Sequence, residues 1–250
     1  MTKDLVVVTG EEFVRRVLEG ERDFSGIRLE EGYDLGRHPE LHDYLGAQRR
    51  MKKDPLIVTG SVFKGLKARD LEVHGMEAEG AEFEGASLEG AFLSGNFNNA
   101  EFRGDCNLNH AEFFMAQLAN AGFYDIQMQG VRIANSGLKE ATFRYAQLTN
   151  AHFDGCGMTR AAFRGDVALY NAVFERCNLG SASFSSYMTM NLRTCGGMNA
   201  ATSFMECDLR KAFLGDKSIQ VANFVGCKVT PEQKEKYDRL QGKERFVVGE

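Results

Sequence analysis

Residues 79–95 read EGAEFEGASLEGAFLSG. Phe83, Leu88 and Leu93 stand five residues apart, and Ala81, Ala86 and Ala91 each precede one of them by two. A half-buried strand repeats every two residues and a helix every 3.6, so neither element alone explains a step of five. The step runs backward through Ala78, Val73, Ala68, Phe63 and Val58, and forward through Phe97, Phe102, Leu108, Phe113, Leu118, Phe123, Met128, Ile133, Leu138, Phe143, Leu148, Phe153, Met158 and Phe163. It resumes at Leu169, Phe174, Leu179 and Phe184, blurs, and returns at Phe204, Leu209, Leu214, Ile219, Phe224 and Val229. Such an internal repeat overrides any element-by-element reading.

Two inward side chains separated by one outward residue make a very short strand. The two residues that follow, often Glu-Gly, Arg-Gly or Asn-Asn, are polar and turn-forming. Strand and corner together make one side of a coil, and repetition builds a solenoid whose turns pair with those above and below. Phe63, Phe83, Phe102, Phe123, Phe143, Phe163, Phe184, Phe204 and Phe224 recur at about twenty residues, which is four pentads and predicts four sides per coil. On this phase the stretch 185–203 is one further full coil, and Phe24 heads the Phe column with Leu29 on the next side.

The repeats AEFEG, ASLEG, AQLTN and CDLRK resemble those of the pentapeptide-repeat proteins. The resemblance covers residues 56–229 and, less regularly, 22–35. It implies an all-β solenoid: a right-handed quadrilateral parallel β-helix of about ten coils. The Asp or Asn usual before the central residue is mostly replaced here, which alters surface chemistry and not the fold.

The ends read as caps, which divides the chain into 1–21, an N-terminal strand and capping helix; 22–229, the repeat region; and 230–250, a C-terminal helix and tail. Thr9 with Glu12 forms a capping box, followed by an apolar face of Phe13, Val14, Val17 and Leu18. Thr230, Pro231 and Gln233 open the second helix, whose Tyr237 and Leu240 are candidate dimerisation residues. Residues 36–54 exceed the length of a corner. Leu41, Tyr44, Leu45 and Met51 have helical spacing there, and Arg49, Arg50, Lys52 and Lys53 make the insertion basic. It reads either as a partner-binding protrusion or as a charged segment folded back on the first coils.

No constellation carries catalysis. Cys106, Cys156, Cys177, Cys207 and Cys227 occupy the small inward slot two residues before the central one, where they act as small hydrophobes. Cys156 is expected to stack on Cys177, and Cys207 on Cys227, within disulfide reach but reduced in a reducing cytosol. His38 and His42 have helical ligand spacing without a third ligand. GSVFKGLK at 60–67 has Leu66 where a phosphate loop needs Lys, so it reads as two ordinary pentads. The expectation is a non-enzyme with no metal, cofactor or catalytic residue.

Length, a formal charge of -5 and 43% hydrophobic content fit a globular chain with no general affinity for nucleic acid. The N-terminal apolar run Leu5–Val8 is too short to span a bilayer, and a cytoplasmic location is expected. Function then falls to the outer surface. Asp70, Glu72, Glu77, Glu79, Glu82, Glu84 and Glu89 are outward and opposed within that window only by His74. The leading expectation is a rigid interaction scaffold for a protein partner. The alternative follows from resemblance to the fluoroquinolone-resistance members of the family, whose acidic, end-to-end dimeric rods imitate DNA and bind DNA gyrase. About nine steps of about 4.8 Å give roughly 45 Å, about a turn of B-DNA.

Overall fold

The computed structural model describes residues 5–51, 55–184, 202–215, 222–241 and 246–249. The pentads form a parallel β-solenoid of about ten turns with four sides, here labelled A to D in chain order. Side A is a seven-stranded parallel sheet of Glu82–Glu84, Glu101–Arg103, Gly122–Tyr124, Thr142–Arg144, Ala162–Arg164, Ser183–Phe184 and Phe213–Leu214. Side C, opposite, has eight strands: Glu72–Glu77, Phe92–Asn96, Glu112–Phe114, Arg132–Ala134, His152–Asp154, Val173–Glu175, Ser203–Met205 and Asn223–Val225. Sides B and D are ladders of single bridges, from Lys67 through Ser87, Asn107, Gln127 and Gln147 to Ala168, and from Ile57 through Glu77, Asn96, Gln117, Gly137, Gly157, Asn178 and Asp208 to Lys228.

In each strand the central residue and the residue two before it point inward, and the residue between them pairs along the ladder. The Phe rings of side A stack from Phe63 to Phe184 with centroids 4.5 to 5.2 Å apart. Rings of side C meet them edge-on across the bore, as Phe143 meets Phe153 at 5.9 Å and 88°. Offset-parallel and perpendicular contacts are the two arrangements the ring quadrupole favours. Corners need a left-handed residue. Gly85 supplies one at φ 62, and Asp125 and Asn150 take φ 54 and 59 where a short polar side chain tolerates it.

Two registers differ from the sequence expectation. Phe24 hydrogen-bonds to Ile57 and Leu29 to Val62, so Phe24 belongs to side D and Leu29 heads the Phe column of side A. More consequentially, Phe204 does not continue that column. It pairs with Phe174 on side C, their rings 5.0 Å apart at 8°, and Leu214 takes the place above Phe184. The rung from 174 to 204 therefore spans thirty residues, and the single twenty-residue coil expected over 185–203 is wrong in phase. Residues 185–201 lie outside the described segments. A slip of two pentads keeps the inward alternation intact, and the stacked Phe174–Phe204 rings settle which side the chain returns to.

The caps close both ends. Helix α1 (Gly10–Leu18) is N-capped by Thr9, whose hydroxyl accepts from Glu12 N at 3.2 Å, and Phe13 packs on Phe24 at 4.7 Å. Strand Val6–Val8 extends the ladder beyond Ile27–Leu29. Helix α2 (Pro39–Met51) packs on α1 and on strand Glu72–Glu77, burying Leu41 and Leu45. Arg22 reaches Tyr44 from below its ring. The helical part of the insertion is thus a lateral cap for the first coils. Helix α3 (Pro231–Gln241) has a reciprocal box: Gln233 N donates to Thr230 Oγ1 at 3.3 Å, and Thr230 N to Gln233 Oε1 at 2.9 Å.

Candidate functional site

Among the described residues the interior is lined by apolar side chains and free cysteines. All five described cysteines are free and buried. Cys156, Cys177, Cys207 and Cys227 form one column, continuous because the thirty-residue rung sets Cys207 directly over Cys177. Their thiols donate to carbonyls one rung back, from Cys156 to Ile133 at 3.2 Å and from Cys207 to Phe174 at 3.2 Å. Hydrogen bonds to Cys156 and Cys207, with burial, push the Cys177 thiol far up, and burial pushes Cys106 up to about 12. These are packing thiols. A small apolar cavity of about 40 Å³ lies among Phe13, Leu45, Val58, Val73, Met76 and Leu93. Its lining carries no titratable group. Among the described residues no cluster of His, Cys, Asp and Glu is arranged to hold a metal ion. His38 spends its ring on Tyr33 (2.7 Å) and Glu40 (3.1 Å), so it does not join His42 as a ligand pair.

The charged side chains lie on the outer sides and corners. The structure spreads the seven predicted carboxylates around the first coils and does not gather them on one side. Asp70 and Glu89 stand at the B–C corner, Glu72 on C, Glu77 on D, Glu79 at the D–A corner, and Glu82 and Glu84 on A. Several have partners: Glu72 meets His74 at 2.6 Å, Arg69 meets Glu89, and Asn99 donates to Glu79 at 3.3 Å. Asp70 and Glu77 have no ion pair among the described residues. Arg49 and Arg50 lie in the last turns of α2, and Lys52 and Lys53 fall outside the described residues.

Tyr237 and Leu240 are turned to their own chain. Tyr237 is buried, donating its hydroxyl to the Ala212 carbonyl at 3.2 Å and meeting Phe246 at 5.3 Å. Leu240 packs partly buried on the same core. This leaves Tyr237 no surface to offer a second copy.

Residues absent from the expected site define side A more sharply. Arg103 sits among three carboxylates: Glu82 at 2.7 Å, Glu84 at 3.3 Å and Glu101 at 3.2 Å. Three rungs run on from it, carrying Gly122 and Tyr124, then Thr142 and Arg144, then Ala162 and Arg164. Adding about twenty residues to each carboxylate position would have found Arg103 from the sequence alone.

No family model and no curated protein matches the chain. Solved structures do. HetL, a pentapeptide repeat protein involved in heterocyst differentiation regulation in the cyanobacterium Nostoc, is 15% identical at a TM-score of 0.40, covering 89% of this chain and 81% of its own. Rfr23, a pentapeptide repeat protein of the cyanobacterium Cyanothece, is 17% identical at 0.34, covering 62% and 95%. QnrB1, a plasmid-mediated fluoroquinolone resistance protein, is 19% identical at 0.26, covering 78% and 100%. At these values the superpositions place no residue of this chain in a role, and its fold stands on its own ladders.

Proposed function

We propose that this pentapeptide-repeat β-solenoid is a non-enzymatic scaffold whose outer sides bind a protein partner. The observation that supports it is the filled bore. Among the described residues the interior is packed almost wholly with apolar side chains, so their charged groups act from the sides and corners, as presented surfaces. The carboxylates least engaged within the chain are Asp70, at the B–C corner, and Glu77 on side D; Glu77, with Glu79 at the corner beside it, fits a basic segment of that partner. No helix among the described residues is long and apolar enough to cross a membrane, and we place the binding event in the cytoplasm. Cross-linking the purified protein in host extract, with the contacts mapped by mass spectrometry, tests this. A partner should link to the first coils and be lost on charge reversal of Glu77 and Glu79. Links confined to the termini, or indifferent to that reversal, would end the reading.

DNA mimicry toward gyrase is the second reading. Carboxylates on successive rungs, Glu82 and Glu84 followed by Glu101, favour it, since a rung repeats at about 4.8 Å. Arg103 weakens it by offsetting those charges on the same side. A supercoiling assay decides: a mimic inhibits or protects gyrase, loses the effect as salt rises and competes with duplex DNA. An unchanged supercoiling rate at low salt would leave the scaffold alone.

A further inference from the structure

The outward residues of side A separate charge along the rod. Toward the N-terminus three glutamates, Glu82, Glu84 and Glu101, surround one arginine, Arg103. Toward the C-terminus Arg144 and Arg164 lie on adjacent rungs in direct register, with Thr142 and Ala162 as their strand companions. Arg69, Arg103, Arg160, Arg176 and Arg210 all meet a carboxylate within the chain. Arg144 meets only the ring of Tyr145, at 5.0 Å, and Arg164 has no ion pair among the described residues. Asp125 and Asp166, at the neighbouring corners, pair with neither. Like charges directly opposite on a ladder destabilise it, so the pair lacks a counterion that the folded chain does not provide. Sides B and D carry mainly Asn, Gln and Gly in their bridges, and side C mixes both signs along its length. On side A the division runs over the five rungs from Glu82–Glu84 to Ala162–Arg164; the rungs before them carry Arg28 and Lys64, the latter paired with Glu31.

Between the two halves lies the rung of Gly122 and Tyr124. The Tyr124 ring lies across Gly122 so closely that a Cβ there would come within 2.1 Å of it. The middle rung therefore presents a ring laid along the surface.

We infer that side A is a self-complementary docking surface for a second copy of this chain, running antiparallel. A twofold axis in the interface along the Gly122–Tyr124 strand reverses the rod and keeps each strand position. It sets Tyr124 on its own copy, Arg164 on Glu84, and Arg144 on Arg103, whose own carboxylate partners Glu82, Glu84 and Glu101 surround the contact. Three glutamates and three arginines then balance on each half. The other twofold, along the rod axis, keeps each rung on itself and so sets the acidic half on the acidic half and the basic half on the basic half, and the charge pattern selects the antiparallel arrangement. Five rungs at about 4.8 Å and a strand of about 10 Å give a patch well below the ~800 Å² per partner of a stable interface, so association is weak and electrostatic.

Sedimentation velocity of the full chain, from ~20 µM to ~1 mM in low and high salt, reads the equilibrium. A concentration-dependent dimer is expected in low salt and should be lost in high salt. Arg164→Glu and Glu84→Arg should each weaken it about tenfold, and the double variant should restore it, since the reversed charges face each other again. Unchanged melting of each exposed-site variant keeps folding out of the comparison. A monomer throughout in low salt, a dimer indifferent to salt, or a double variant no better than the singles would each overturn the inference. None of these outcomes bears on heterologous partner binding, which is read by cross-linking.

Discussion

Phe143 offers the most direct test of the core. Its ring is fully buried and lies 4.8 Å from both Phe123 and Phe163, with Phe153 edge-on at 5.9 Å. Truncating a buried Phe to Ala costs about 3–5 kcal/mol, and the ring contacts on three sides place this site in the upper part of that range, at about 4–5 kcal/mol. In a chain of this length each kcal/mol moves the midpoint by about 2–4 °C, so Phe143→Ala should melt about 8–20 °C below the wild type. Phe213 is the internal control. It lies on the same side but points outward, 59% exposed, and Phe213→Ala should change stability by no more than about 0.5 kcal/mol. Urea unfolding followed by far-ultraviolet circular dichroism gives both values. A Phe143→Ala loss below about 1 kcal/mol, or an equal loss at Phe213, would refute the filled bore.

The thirty-residue rung predicts that Ser183→Cys with Phe213→Cys, which lie opposite each other on side A, forms a disulfide on mild oxidation, while Ser183→Cys with Ser203→Cys, on opposite sides, does not. Non-reducing gels after proteolysis distinguish them, and the reverse pattern would restore the twenty-residue phase. Leu41→Ala should cost about 2–4 kcal/mol because Leu41 is fully buried on the inner face of α2, and a neutral result in thermal melts would return α2 to a free protrusion. Cys106, with its pKa raised by burial from 9.0 to about 12, holds its proton longer folded than unfolded. Its contribution is complete below pH 9 and falls by about 1.4 kcal/mol per unit from pH 9 toward 12, so Cys106→Ala should flatten the alkaline loss of stability in urea titrations.

The five-step was legible because inward positions are chemically uniform: an Ala or Cys, then a Phe or Leu, wherever the chain turns. The four sides followed from the recurrence of Phe. Phase was less legible. Shifting Phe204 by two pentads changes no inward residue type, and only the ring contact with Phe174 and the thiol column through Cys177 and Cys207 fix it. The same holds for Phe24, one side away from its expected place. The carboxylates were correctly read as outward, but their partners were not, because Arg103 and Glu82 are neighbours only after a full turn. Leu41 and Leu45 declared a helix by spacing, but spacing does not say what lies beneath an apolar face.

Each rung meets the next about twenty residues on, as Phe123 does Phe143, whatever the length of the rod. Divided by the length of the chain, that separation gives a relative contact order of roughly 0.08, in the range of helical bundles and below that of sandwiches and barrels. An all-β chain of this kind closes only short loops as it forms. It can grow outward from any formed pair of turns, and among the described residues loop closure is longer at two places, the first rung from Phe24 to Ile57 and Leu29 to Val62 across the 36–54 insertion, and the thirty-residue rung between Phe174 and Phe204. Folding should therefore be fast for a β protein, with the first rung and the Phe174–Phe204 rung the slowest to form.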